Sequence, residues 1–135
     1  MKTLKVLFIE DDVIEVMKLK RTISTLKLNH EIIETANGEE ALINLDSSID
    51  LPDIILMDLN MPKMNGLELL KKLRLNERYR FIPTVVLSTS NNRSDILKCY
   101  DFGISGYITK PLKYEDYVRK IENLLAYWSI NEFIK

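Results

Sequence analysis

Short apolar runs alternate along this chain with longer stretches whose apolar residues recur three and four positions apart, the two periodicities of strand and helix. Leu4 to Ile9 is a compact run rich in branched residues and reads as a buried strand. Val16, Leu19, Ile23 and Leu26 follow at helical spacing, with Asn29 as a candidate stop. Ile32 and Ile33 suggest a second, more peripheral strand. Asn37-Gly38 then punctuates the chain before the short helical stripe of Ala41, Leu42 and Leu45. Ile54 to Met57, after Pro52, is apolar at every position, as expected of a strand covered on both faces. A turn-rich loop from Met61 to Gly66 leads into a third helix marked by Leu67, Leu70 and Leu73. Pro83 opens a fourth strand through Val85, Val86 and Leu87; Ile96, Leu97 and Tyr100 mark a fourth helix ended by Gly103. Tyr107 and Ile108 form a short fifth strand closed by Lys110-Pro111, and Tyr117, Ile121, Leu124 and Trp128 carry the last helix.

Five strand–helix units in regular alternation predict an α/β fold, a doubly wound five-stranded parallel sheet with five flanking helices. The connections leave no room for a second domain. We expect one domain over residues 1–128 and a short C-terminal tail over 129–135, with no output domain. The tail is apolar at Phe133 and Ile134, next to Trp128; packing back on the fold and extending a dimer contact are both open.

Composition narrows the class. The 135 residues are 46% hydrophobic and 29% charged, and the formal net charge of -1 gives no general attraction to nucleic acid or membrane. Cys99 is the single cysteine, which excludes an intrachain disulfide and fits a reducing compartment. The N-terminal apolar stretch is too short for a signal peptide and no run approaches the length of a membrane span. The expectation is a cytoplasmic protein without direct DNA or membrane binding.

The chemistry lies at the strand ends. Strand one ends in Glu10-Asp11-Asp12, strand three in Asp58, strand four in Ser88-Thr89-Ser90 and strand five in Lys110. In an open parallel α/β sheet, ligands bind outside the carboxyl ends of the strands, so these groups would share one crevice. Clustered carboxylates repel unless a cation intervenes, and oxygen ligands without nearby His or Cys suit a small hard ion. Mg²⁺ typically takes one or two carboxylates, keeps waters and accepts phosphate oxygens. An aspartate is itself a possible nucleophile toward phosphorus. Lys110 would balance the added charge, and Ser88 has a hydroxyl to donate to a phosphoryl oxygen.

The stretches VLFIEDD, DIILMDLNMPKMNG, IPTVVLSTS and GYITKPL resemble, in order and spacing, the hallmark segments of response-regulator receiver domains of two-component systems. The resemblance spans essentially the whole chain and is closest to single-domain, chemotaxis-type receivers, with a likeness to the subfamily paired with bacterial phytochrome kinases. It implies the flavodoxin-like strand order 2-1-3-4-5. It implies that Asp58 is the phosphoacceptor, and that Glu10, Asp11, Asp58 and the Asn60 backbone carbonyl hold Mg²⁺ (or Mn²⁺), Asp11 directly and Glu10 through water. Lys110 would pair with the phosphoryl group or the carboxylate, Ser88 and Tyr107 would be the switch residues, and the Lys110-Pro111 bond would be cis. The implied role is that of a signalling receiver rather than an enzyme, one that assists its own phosphorylation and dephosphorylation. Its implied partners are a sensor histidine kinase or histidine phosphotransfer protein and a downstream protein target that reads helix four, strand five and helix five; a homodimer is a further possibility. Three residues depart from the commonest pattern: Glu10 stands for Asp, Asp12 is an extra acid expected to cap the first helix or to stand solvated, and Thr89 stands for a small Ala.

Each of these residues taken alone has a plainer reading. The acidic triplet is an ordinary helix start, Asp58 a turn cap, Ser88 a strand-end hydroxyl and Lys110 a solvated loop lysine; their joint placement is what favours the receiver. His30 has no nucleophile partner pattern and reads as a surface or capping residue, and Cys99 as a core or half-buried helix thiol. An aspartate-nucleophile phosphohydrolase would usually carry its nucleophile after the first strand with a second Asp two residues on; here Asp58 follows strand three and Asn60 sits two on. A flavin carrier of the same fold would need a hydroxyl- and glycine-rich loop after strand one, where this chain has carboxylates. A receiver that has lost phosphorylation is disfavoured because the acidic pair, Asp58, Ser88 and Lys110 are all present.

Overall fold

The computed structural model describes residues 2–135. Strands β1 (Lys5–Ile9), β2 (Glu31–Thr35), β3 (Ile54–Met57), β4 (Thr84–Ser88) and β5 (Gly106–Thr109) alternate with helices α1 (Val13–Thr25), α2 (Gly38–Ser47), α3 (Gly66–Leu75), α4 (Arg93–Asp101) and α5 (Tyr114–Ser129). All strand pairs are parallel, and the sheet order is β2-β1-β3-β4-β5, as the resemblance implied.

The continuous apolar runs sit in the middle of this sheet because both faces are covered. On one face Leu7, Ile9, Ile55, Met57 and Val86 pack against Leu45 of α2, Leu69, Leu70 and Leu73 of α3 and Cys99 of α4. On the other, Val6, Phe8, Ile54, Leu56, Val85 and Leu87 pack against Leu19 and Ile23 of α1 and Tyr117, Ile121 and Leu125 of α5. Alternate residues of one strand thus feed opposite cores, the expected outcome for a parallel sheet with crossover helices.

Helix starts follow local side-chain chemistry. Asp12, Asn37 and Asn92 accept backbone N–H bonds as N-caps of α1, α2 and α4, and Asn65 with Glu68 forms a reciprocal capping box on α3. Two helices end in the same backbone motif. At α4 the Gly103 N–H reaches the Tyr100 carbonyl and the Ile104 N–H the Cys99 carbonyl, with Gly103 at φ +89°. At α1 the Lys27 N–H reaches Ser24 and the Leu28 N–H reaches Ile23, with Lys27 at φ 55°. That motif, not Asn29, stops α1.

Two further expectations are corrected. The Lys110-Pro111 bond is trans, since no cis peptide occurs among the described residues; a proline amide favours trans by only ~0.5–1 kcal/mol, so surroundings decide the isomer. β4 begins at Thr84 rather than at Pro83, whose ring nitrogen has no hydrogen for the sheet. His30 is half-buried, and its Nδ1 accepts the Leu4 N–H at 2.9 Å, closing the start of β1. The C-terminal tail packs back on the fold: Phe133 stacks on Trp128 and joins the α1/α5 core, and Lys135 pairs with Asp53 at 2.7 Å. No described helix is long and apolar enough to cross a membrane.

Candidate functional site

Register brings the strand ends together. Ile9 of β1 is aligned with Met57 of β3, and the Asp58 N–H donates to the Ile9 carbonyl at 3.2 Å. Glu10, Asp11 and Asp58 therefore leave adjacent central strands at the same level. They offer carboxylate oxygens that all lie within 4.8 Å of one another. On the other side, Ser88 is aligned with Thr109, and the Lys110 N–H donates to the Ser88 carbonyl at 2.7 Å. Lys110 then reaches across to Glu10, its Nζ 2.9 Å from Oε1.

The electrostatics follow from burial. Burial pushes the Asp58 carboxyl above its usual range, opposed by the Lys110 charge and by the Leu59 and Asn60 backbone N–H groups, while Asp11 pushes the same way as burial. Glu10 is likewise raised, chiefly by burial, with Lys110 pulling it down. Burial draws the Lys110 pKa down, but the hydrogen bond to Glu10 and the charges of Asp58, Glu10 and Glu15 outweigh it and leave the value raised. Three carboxylates around one ammonium are under-compensated, so the donor set suits a divalent cation. Glu10, Asp11 and Asp58 are the side chains that would hold it; the chemistry is hard oxygen with no His or Cys, which fits Mg²⁺ or Mn²⁺.

Each sequence-predicted residue falls at or beside this crevice. Ser88 is fully buried at the end of β4, and its Oγ accepts the Ser90 N–H at 3.2 Å. Asn60 is exposed in the β3–α3 loop, two residues past Asp58. Tyr107 is half-buried, and its hydroxyl donates to the Ser90 carbonyl at 2.7 Å, tying β5 to the β4–α4 loop. Asp12 turns away, with its carboxylate capping α1 through the Ile14 N–H at 2.9 Å. Cys99 is buried in the core, and its thiol is pushed by burial to about 11.

Glu15 escaped the sequence reading. Its carboxylate lies 3.7 Å from the Lys110 Nζ and 3.9 Å from the Lys18 Nζ. It reads as part of an acidic helix start, yet it shares a helical stripe with Leu19, Thr22 and Ile23, the buried residues of α1. A carboxylate on an apolar stripe is the signal that distinguishes it from its solvated neighbours.

A family model described as the response regulator receiver domain matches residues 6–122. The probable methanogenesis regulatory protein FilR2 of Methanothrix harundinacea is 33% identical over 127 residues, covering 91% of this chain and 82% of that protein. The structure of the phosphorylated cyanobacterial phytochrome response regulator RcpA superposes with a TM-score of 0.90 at 29% identity, over 98% of this chain and 99% of that one. The Mn²⁺-bound form of response regulator Rcp1 gives 0.86 at 27% identity, over 98% and 99%.

Proposed function

The chain belongs to the response regulator receiver family, and from that premise we propose that Asp58 accepts a phosphoryl group from a sensor histidine kinase or a histidine phosphotransfer protein. The observation that carries this reading is the convergence of the Glu10, Asp11 and Asp58 carboxylates within 4.8 Å, with Lys110 at their edge. In the transfer, an Asp58 oxygen forms a bond to phosphorus as the donor's phosphorus–nitrogen bond breaks. Glu10, Asp11, Asp58 and the Asn60 carbonyl would hold a divalent ion, which would supply charge neutralisation at the phosphoryl oxygens. Lys110, a compact ammonium, transfers its pairing from Glu10 to the new negative charge. Ser88, whose Oγ accepts from the Ser90 N–H, turns its own hydroxyl hydrogen to a phosphoryl oxygen.

The output is a change of surface. Tyr107 is held to the Ser90 carbonyl of the same loop that carries the Ser88 hydroxyl's partner. Drawing Ser88 toward the phosphoryl group loosens that loop, frees Tyr107 to turn inward and reshapes α4, β5 and α5, where a downstream protein reads the state. On this reading residues 1–128 are one receiver domain, working in the cytoplasm.

The test is incubation with Mg²⁺ and acetyl phosphate, followed by intact-mass analysis. Wild type gains one phosphoryl group and Asp58→Asn gains none. Labelling of Asp58→Asn equal to wild type, or none in either, overturns the reading. Cleavage of generic phosphomonoesters would favour a phosphohydrolase instead.

A further inference from the structure

The Lys110 ammonium has two carboxylate partners within ion-pair distance, Glu10 at 2.9 Å and Glu15 at 3.7 Å, and Asp58 is not among them. Its side chain is only 6% exposed, so these neighbours, not water, decide where it rests. Glu15 Oε2 is itself buried and accepts no hydrogen bond. A buried carboxylate oxygen without a donor is costly unless a cation faces it. Lys18, the other cation near Glu15, stands farther off at 3.9 Å and also lies over the Tyr117 ring, 4.4 Å from its centre. Glu15 thus leans on Lys110 for its compensation, and the pull is directed away from Asp58 toward α1.

We propose that Glu15 is a positioning residue that holds Lys110 back on the α1 side of the crevice and so sets how readily the lysine turns to a phosphoryl group on Asp58. The inference rests on the reading of Asp58 as phosphoacceptor. In the resting state Lys110 is shared between Glu10 and Glu15. When a phosphoryl group adds negative charge at Asp58, Lys110 must leave a half-buried carboxylate whose Oε2 has no hydrogen-bond donor to replace it. That loss opposes the phosphorylated state. Glu15 also dilutes the lysine's hold on Glu10, which leaves Glu10 freer to face a divalent ion. Its removal therefore shifts two equilibria in opposite directions.

Glu15→Gln keeps the shape and removes the charge. Mn²⁺ affinity is measured by calorimetry on the unphosphorylated protein, and affinity for beryllofluoride, a tetrahedral phosphoryl analogue, at saturating Mg²⁺. We expect Glu15→Gln to weaken Mn²⁺ binding and tighten beryllofluoride binding, each by about threefold or more. Glu15→Asp keeps the charge and returns both values toward wild type. Lys18→Met leaves Lys110 as the only cation in ion-pair distance of Glu15 among the described residues and weakens beryllofluoride binding, which keeps the proposal testable should Glu15→Gln fold poorly. Equal Mn²⁺ and beryllofluoride affinities in wild type and these variants overturn the role of Glu15 alone. Absence of beryllofluoride binding by wild type overturns the phosphoacceptor reading, and this one with it. A purely structural role for Glu15 would weaken both ligands together, and that result also counts against the proposal.

Discussion

Gly66 packs against the Asp58 carbonyl so closely that a Cβ on the glycine would stand 2.8 Å from that oxygen and 3.0 Å from the Leu59 Cα. Both obstacles are backbone, and the Gly66 N–H already donates to the Leu59 carbonyl at 3.0 Å. The first residue of α3 is therefore the floor on which the Asp58 loop rests.

Gly66→Ala must push that loop outward. We expect a loss of about 1–3 kcal/mol in stability, the usual cost of overpacking, read from urea unfolding. Divalent-ion affinity falls with it, because the displaced loop carries Asp58 and Asn60. Wild-type ion affinity in a destabilised Gly66→Ala protein would show that the loop relaxes without moving the carboxylate.

The raised carboxyls give the site a pH signature. Without a divalent ion, the folded protein holds protons on Glu10 and Asp58 above their ordinary values of 4.5 and 3.8, more tightly than the unfolded chain does. Their contribution to stability is present below those ordinary values and is lost as pH rises through the raised ones. A divalent ion competes with the same protons, so its apparent affinity climbs across that window and protons are released on binding. Calorimetry in buffers of different ionisation enthalpy measures the release. Asp58→Asn should reduce it and raise the ion-free melting temperature near neutral pH by roughly 3–6 °C. A pH-independent affinity would contradict the assignment. Lys110 acts at the other extreme: its raised value adds stability below its ordinary 10.5 that is lost as pH climbs past the folded value.

Much of this architecture was legible because local and long-range signals agree. The run Ile54 to Met57 reads as doubly covered and is fully buried; Gly103 reads as a helix stop and is one. Strand-end chemistry placed Glu10, Asp11, Asp58, Ser88 and Lys110 at one edge because parallel strands share a direction. The end of α1 was not legible, because the residue in the left-handed position there is Lys27, and lysine carries no marker for it. The partners of Lys110 were hidden for a different reason: which of several carboxylates a buried ammonium takes depends on packing between α1 and β5, far apart in sequence.

Lys27 offers a direct check on that distinction. The backbone bonds to Ser24 and Ile23 match those made around Gly103 in α4, but Lys27 adopts φ 55° with a Cβ that a glycine would lack. The left-handed conformation costs an L-residue roughly 1–2 kcal/mol, part of which glycine returns through its looser unfolded chain. We expect Lys27→Gly to stabilise the protein by about 0.5–1 kcal/mol in urea unfolding, with phosphorylation unchanged. A destabilised variant would mean that the lysine side chain contributes contacts outweighing its backbone strain.

On the reading of Asp58 as phosphoacceptor, Thr89 bears on how long the phosphoryl group lasts. It is exposed in the turn directly after buried Ser88, so it borders the end of β4 where the phosphoryl group would be held. Hydrolysis needs a water in line with the bond to Asp58, on the solvent side of the crevice. A threonine there carries a methyl and a hydroxyl group that an alanine lacks, and its β-branched side chain has few rotamers with which to move aside. The effect is one of access rather than charge, so it acts on the rate of loss and leaves ion affinity alone. Thr89→Ala should shorten the phosphoryl lifetime about threefold, equivalent to ~0.7 kcal/mol of barrier, in a time course of intact mass after the donor is removed. Equal decay in Thr89→Ala and wild type would rule out this residue as the screen and direct the search to the β3–α3 loop, the other wall of the crevice.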